Sequence, residues 1–180
     1  MAPENAEVVA KHLVAITRFL EIEPDLAYRH GQEATYRAGR IGLVRELAGL
    51  AALRSGRHEI AVKDLRAAER ITGSKDLLAY IAQAEVALGH PRKALEIAGS
   101  VTQAALSEVG RVEMRIAAAA ARSALGQHDA AVVTLRCREL NRTGAIWSER
   151  LRKAYVLALR AAGSLVEAEE FERKITQQSK

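Results

Sequence analysis

The chain has few of the residues on which several classes of protein depend. Among 180 residues it has one cysteine, three prolines, one tryptophan, four tyrosines and two phenylalanines. A single cysteine, Cys137, excludes an intrachain disulfide and is typical of a reducing compartment. The scarcity of aromatic rings leaves few side chains on which the bases of a single-stranded nucleic acid could stack.

Long hydrophobic runs are missing as well. No stretch of the sequence approaches the roughly 20 consecutive apolar residues that a membrane-spanning helix needs. The first seven residues include Glu4 and Glu7, whereas a secretory signal peptide begins with positive charge. We therefore expect a cytoplasmic protein that has no membrane contact.

The sequence also shows no motif of a catalytic site, such as a phosphate-binding glycine loop or a serine elbow. Cys137 and His128 lie on one expected helix, about 13 Å apart along its axis, which is too far for a nucleophile and its base. His58, His90 and His128 recur beside turns and could mark a metal or anion edge. Equivalent atoms of neighbouring repeats are too far apart to share a metal ion at about 2 Å, so capping of helix ends is the other interpretation. We expect no enzyme activity, no cofactor and no metal.

Small residues are abundant and follow a pattern. The chain has 35 alanines and 12 glycines. Four stretches share one order: an apolar helix, a glycine, a short turn, and a second helix that reaches an alanine five residues after the glycine. The glycines stand at intervals of 33, 37 and 37 residues, as Gly56, Gly89, Gly126 and Gly163, and the alanines are Ala61, Ala94, Ala131 and Ala168. Self-similarity at this period is typical of stacked helix hairpins.

This pattern resembles the tetratricopeptide repeat (TPR), a helix pair of about 34 residues. In that family a small residue lies midway along the first helix, where Gly49, Ala82 and Ala119 match. An alanine lies in the second helix, where the four alanines of the pattern match. The composition is similar to that of small alanine- and arginine-rich TPR proteins of actinobacteria. The resemblance implies a protein-binding scaffold and covers nearly the whole chain.

The periodicity predicts an all-α fold of about ten helices. We expect one domain over residues 1–180, a right-handed α-solenoid of about five TPR-like hairpins, with repeats near 5–38, 41–72, 75–101, 108–140 and 148–175. First helices would line a concave side. Gly56 is expected to end its helix as a left-handed cap. Ser74 and Ser148 are expected to cap helices five and nine, helix eight is expected to reach Leu140, and segment 102–107 is either a loop or a helix extension.

The expected concave side carries the candidate partner-binding residues, which are Glu46, Arg54, Tyr80, Gln83, Arg150, Lys153, Leu157 and Arg160, together with His12 and Ser123. Three- and four-residue spacing places Arg150, Lys153, Leu157 and Arg160 on one face of helix nine. The basic side chains of this set could hold an acidic protein segment by charge-assisted hydrogen bonds. An ordinary solvated surface is the alternative. The carboxylate clamp known in the TPR family is not reproduced, because Glu46 occupies a groove position and asparagine is absent from these helices.

The uneven distribution of positive charge suggests a second possible function, contact with RNA. Residues 136–160 contain seven basic and two acidic residues, so this region could contact RNA phosphates. Self-association is a third interpretation, because Phe171 and Ile175 in the end helix have no later repeat to cover them. We expect a non-catalytic scaffold that binds an acidic peptide or protein, with RNA contact as the alternative.

Overall fold

The computed structural model describes residues 2–178, and every regular element in that range is helical. The helices of the first half are α1 (Pro3–Phe19), α2 (Pro24–Ala38), α3 (Gly42–Arg54), α4 (His58–Thr72) and α5 (Leu77–Ala87). Those of the second half are α6 (Pro91–Gly99), α7 (Glu108–Ala124), α8 (His128–Leu135), α9 (Ser148–Ala161) and α10 (Leu165–Gln178). Two 3-10 turns, Gln103–Ala105 and Arg138–Asn141, precede α7 and α9. The all-α prediction is confirmed.

Helices that follow one another along the chain pack against one another, from α1 with α2 through to α9 with α10. The odd-numbered helices also contact each other in succession: α1 with α3, α3 with α5, α5 with α7, and α7 with α9. Each predicted repeat range therefore holds one consecutive pair, and the first helices of the pairs form a row. Over residues 2–178, no helix combines the length and apolar content that crossing a bilayer requires.

The four turn glycines adopt one conformation. Gly56, Gly89, Gly126 and Gly163 have φ between 75° and 80°, the left-handed region that a side chain with Cβ rarely enters. In each turn the residue after the glycine donates its N–H to the carbonyl five residues earlier, as from Arg57 to Ala52 (2.8 Å). This is the bond of the Schellman motif, which satisfies a carbonyl left free at the helix end. The predicted left-handed cap at Gly56 is confirmed.

The small residues lie where paired helices approach most closely. Ala61, Ala94, Ala131 and Ala168 are all fully buried. On α3, a Cβ added at Gly49 would lie 2.7 Å from Leu65 Cγ of α4. That distance is shorter than any normal carbon contact, so the α3–α4 packing requires glycine at this position.

The longer intervals between the later glycines hold buried residues outside the helices. Leu106 lies before α7, and Leu140 and Trp147 lie between α8 and α9; all three are buried. Leu140 and Trp147 belong to the apolar cluster of α7, α8, α9 and α10. This explains one wrong prediction: α8 ends at Leu135, not Leu140, because the chain leaves the helix and turns Leu140 into this cluster. Segment 102–107, left open by the sequence, contains a 3-10 turn.

Both predicted serine caps are wrong. Ser148 is the first residue of α9, preceded by Trp147, and its buried hydroxyl has no hydrogen-bond partner among the described residues. α5 begins at Leu77, beyond Ser74. Ser107 is a cap instead, since its hydroxyl accepts the N–H of Gly110 (3.1 Å) at the start of α7. Burial of Trp147 decides where α9 begins, and local sequence does not reveal that burial.

Two histidines join α1 to α2. His12 Nδ1 and His30 Nδ1 are 2.9 Å apart, so one ring donates a proton and the other accepts it. Partial burial and then the charge of His30 lower the pKa of His12, while Glu33 opposes and Arg37 adds to this effect. The contact therefore requires at least one neutral ring.

The close contact at Ala131 can be tested by enlarging the side chain. Ala131→Leu should lower the free energy of unfolding by about 1–3 kcal/mol, because the added carbons overpack a buried contact between helices. Ala130 precedes it in α8 and is exposed, so Ala130→Leu is the matched control. Urea unfolding measures both changes, and equal stabilities would contradict the register.

The histidine pair makes stability depend on pH. The unfolded chain binds a proton at His12 near pH 6.5, whereas the folded chain binds it at a lower pH. The contribution of His12 to stability is therefore complete above pH 6.5 and is lost as the pH falls below it. His12→Gln should lose less stability than the wild type between about pH 7 and pH 5. His58→Gln, which lies outside the α1–α2 contact, is the control, and identical slopes for the wild type and His12→Gln would contradict the assignment.

Candidate partner-binding site

The structure separates the predicted site residues into two groups. Four of them, Arg54, Tyr80, Gln83 and Arg150, lie with Glu21 and Glu113 in one polar cluster, called here the inner network. Three more, Lys153, Leu157 and Arg160, line a cavity beside α9. Helix nine therefore contributes to both groups: Arg150 contacts Glu113 and is not among the residues that line the cavity. Glu46 lies at the edge of the inner network.

A buried carboxylate holds the inner network together. Glu113 of α7 is only 1% exposed. One of its oxygens accepts a hydrogen bond from Gln83 Nε2 of α5 (2.9 Å), and the other accepts one from Arg150 Nη2 of α9. A buried charge needs such partners, since an unpaired one would be strongly destabilising. Three neighbouring odd-numbered helices are thus joined at one side chain.

Glu21 extends the inner network to the beginning of the chain. It follows α1, in the turn before α2, and its Oε1 accepts a hydrogen bond from Arg54 Nε of α3 (3.0 Å). The same oxygen lies 3.6 Å from Arg150 Nη1. One carboxylate therefore faces two guanidinium groups that come from α3 and α9.

Two titratable groups of this region, Tyr80 and Glu46, are partly buried. Burial, and next the negative charge of Glu113, raise the pKa of the Tyr80 phenol, while the nearby Arg150 and Arg54 oppose the shift. Burial and the neighbouring Asp76 raise the pKa of Glu46. Asp76 accepts the N–H of Ser107 (2.9 Å) before α7. Glu46 therefore lies in an acidic setting and does not contribute positive potential to the site.

The cavity beside α9, called here the α9 groove, is open to solvent and has a volume of about 820 Å³. Its walls are segment 143–149, one face of α9, and Glu172 and Ile175 of α10. Leu157 is 55% exposed in it, and Ile146 on the facing wall is 80% exposed. Arg160 donates to both carboxylate oxygens of Glu172 (3.1 and 2.8 Å). The groove thus combines exposed aliphatic side chains with polar ones.

Most cations of the 136–160 segment have partners. The ion pairs are Arg136–Glu167, Arg138–Glu139, Arg142–Glu108, Arg150–Glu113 and Arg160–Glu172. Arg152 is buried and donates to the carbonyls of Leu140 and Arg142. Within residues 2–178, Lys153 is the one cation of this segment for which no partner is found. Five of the seven positive charges of the segment are therefore already paired with carboxylates in the described range.

The sequence contains a signal for these pairs that charge counting misses. Polar pairs between adjacent hairpins join residues about one repeat apart in the sequence. The separations are 31 residues for Arg136 and Glu167, 34 for Arg142 and Glu108, 37 for Arg150 and Glu113, and 33 for Arg54 and Glu21. A search of the sequence for oppositely charged residues about one repeat apart would have found these four pairs.

The turn histidines and Cys137 lie in different surroundings. Burial raises the pKa of Glu85, but ion pairs with Lys93 (2.7 Å) and His90 (3.0 Å) outweigh it and hold the pKa below its usual value. His90 is therefore an exposed partner of the buried Glu85 carboxylate. Burial, and next the hydrogen bond with Glu139, raise the pKa of the Cys137 thiol, which disfavours a reactive thiolate. No group of three or more potential metal ligands is found in the described part of the chain.

No protein-family model matches the chain, and neither a curated protein nor a solved structure matches it. The resemblance to the TPR family therefore stays a prediction from glycine and alanine spacing. The geometry of the site offers an open groove of mixed polarity and an internally paired set of charges.

The bond between Arg150 and Glu113 can be tested by a double-mutant cycle. Arg150→Gln should lower the free energy of unfolding by about 1–3 kcal/mol, because buried Glu113 loses a charged donor. Glu113→Gln added to that variant should recover part of the loss, since a neutral amide tolerates burial better. Arg160→Gln on the same helix is the control, and its exposed pair should contribute at most about 1 kcal/mol. Additive effects of the two substitutions would show that the pair is not coupled.

Proposed function

We propose that the chain is a non-catalytic interaction module whose α9 groove binds an acidic, partly aliphatic segment of a partner protein. The observation that carries this proposal is the groove itself. In it, Lys153 has no partner among the described residues and lies beside exposed Leu157. An exposed aliphatic surface with an available cation fits a protein segment that offers both an apolar side chain and a carboxylate.

The proposal includes a right-handed solenoid of five TPR-like hairpins in one domain. At about 8–10 Å per helix pair, a straight row of five helices would separate α1 from α9 by more than about 30 Å. Glu21 nevertheless follows α1 and approaches Arg150 of α9 to 3.6 Å. This approach supports a curved row with the inner network on its hollow side. Repeated Schellman turns support hairpins of one type.

A protein segment fits the groove better than RNA does. RNA contact through residues 136–160 would need several cations facing solvent, and most of them are already paired with carboxylates. The only tryptophan of the chain, Trp147, is buried, so it offers no ring for base stacking. The aliphatic side chains of Leu157 and Ile146 have no role in binding phosphates.

Self-association through the end helix is a further part of the proposal. Phe171, expected to lack cover, packs edge-on against Tyr155 with ring centroids 5.0 Å apart, and Ile175 lines the α9 groove. Leu165 and Val166 at the start of α10 are exposed. A second copy of the chain would therefore contact exposed Leu165 and Val166 before it contacts Phe171. Size-exclusion chromatography at two concentrations tests this contact.

The groove is tested by variants on its exposed wall. Lys153→Glu and Leu157→Ser should each weaken binding of a captured partner protein about tenfold or more, the equivalent of roughly 1.4 kcal/mol. Both side chains are exposed, so the folded state should be affected by no more than about 0.5 kcal/mol. Lys63→Glu on α4 is the matched control, because Lys63 is exposed and has no ion pair among the described residues. Partners are captured from a cell lysate, identified, purified and titrated against each variant.

Two outcomes would contradict the proposal. One is a partner that binds the two groove variants as tightly as the wild type. The other is capture that a nuclease abolishes, combined with binding of bulk RNA whose logarithmic affinity falls by about 0.7 per phosphate contact per decade of salt. The second outcome would favour RNA contact instead.

A further inference from the structure

We propose that Arg54 and Arg150 form a binding position for an acidic side chain of the partner, and that Glu21 occupies this position in the free protein. The inference rests on the proposed function and adds a second anchor to it. In this view Glu21 is an internal competitor that a partner carboxylate displaces.

The two arginines are held in place by more than Glu21. Arg150 is fixed by its bond to buried Glu113, which Gln83 also supports. The side chain of Arg54 is only 18% exposed, so the surrounding chain restricts it. Both guanidinium groups would therefore remain after Glu21 leaves, and a preorganised pair of cations binds a carboxylate with little loss of conformational freedom.

Glu21, by contrast, is held weakly. Its side chain is 61% exposed and lies in a turn, not in a helix. It makes one hydrogen bond, to Arg54, and its oxygen is beyond hydrogen-bond distance from Arg150 Nη1. The buried Nε of Arg150 donates to no acceptor in residues 2–178. Exposed ion pairs of this kind shift an equilibrium by about fivefold or less, so a second carboxylate can compete.

The site favours a carboxylate over a phosphate monoester, which carries close to two negative charges at neutral pH. When a partner carboxylate displaces Glu21, one monoanion replaces another. Arg54 and Arg150 then still face two carboxylates, that of the partner and that of Glu113. A phosphate dianion would add a negative charge close to Glu113, whose charge already acts on neighbouring Tyr80. Repulsion at this distance in a partly dry site would oppose it.

The position lies next to the α9 groove. Arg150 and Lys153 are three residues apart on α9, which is less than one helical turn, or about 4.5 Å along the axis. A partner segment that lies along α9 can therefore reach Lys153 with one acidic side chain and the Arg54–Arg150 position with another. This geometry predicts a partner with at least two carboxylates.

The test compares Glu21→Gln with Glu23→Gln, using fluorescein-labelled hexaglutamate as the probe and fluorescence anisotropy as the measurement. Glu23 lies two residues away, is exposed and makes no side-chain cap bond, so both variants change the net charge equally. Glu21→Gln should bind the probe about fivefold more tightly than the wild type, because the position is no longer occupied. Glu23→Gln should differ from the wild type by less than about twofold, since only the distant charge changes.

A third variant locates the effect. Arg54→Gln added to Glu21→Gln should abolish the gain in affinity for hexaglutamate. The double variant keeps the bond between Arg150 and Glu113, so it should retain the fold, which circular dichroism checks. The inference is wrong if Glu21→Gln and Glu23→Gln bind hexaglutamate with equal affinity, or if Glu21→Gln does not bind it. The Lys153→Glu and Leu157→Ser variants still test the proposed function separately. Tighter binding of an oligouridylate than of hexaglutamate by Glu21→Gln would overturn the assignment to a carboxylate.

Discussion

The close contact between the two helices of a pair is the constraint on which the other features depend. Leu65 packs where a Cβ at Gly49 would be, and the fully buried alanines of α4, α6, α8 and α10 recur at the same place. Small residues at these recurring positions determine where the two helices of each pair are in contact. A pair this thin cannot cover its own apolar face, so the next pair must cover it. The alignment of pairs then determines which charged residues meet across them.

Features set by local sequence could be predicted. The glycine of the turn between paired helices gives the left-handed conformation at Gly56, Gly89, Gly126 and Gly163, whereas Gly39 at the end of α2 keeps a φ of −65°. Proline at the first helical position marks the starts of α1, α2 and α6. Features set by burial could not. Ser148 looks like a cap, but buried Trp147 decides where α9 begins, and buried Leu140 leaves the helix that its spacing suggested. In both cases an apolar side chain in the core overrides a local preference.

The site was predictable to a similar extent. Helical spacing predicted that Arg150, Lys153, Leu157 and Arg160 share one face of α9; the last three line the α9 groove, and Arg150 does not. The spacing missed the partner of Arg150, since Glu113 belongs to the preceding hairpin. The repeat period contains that information. No period predicts the approach of Glu21 to Arg150, because these residues belong to the first and the last helix pair of the chain.

Trp147 has a consequence for how the chain loses its structure. As the single tryptophan, buried between α8 and α9, its fluorescence reports the half of the protein formed by α7 to α10 and nothing of α1 to α4. Circular dichroism reports all ten helices together. Helices that contact mainly their neighbours along the chain need not melt as one unit. A difference between the two signals would therefore reveal a half-melted form and identify the half that stays folded.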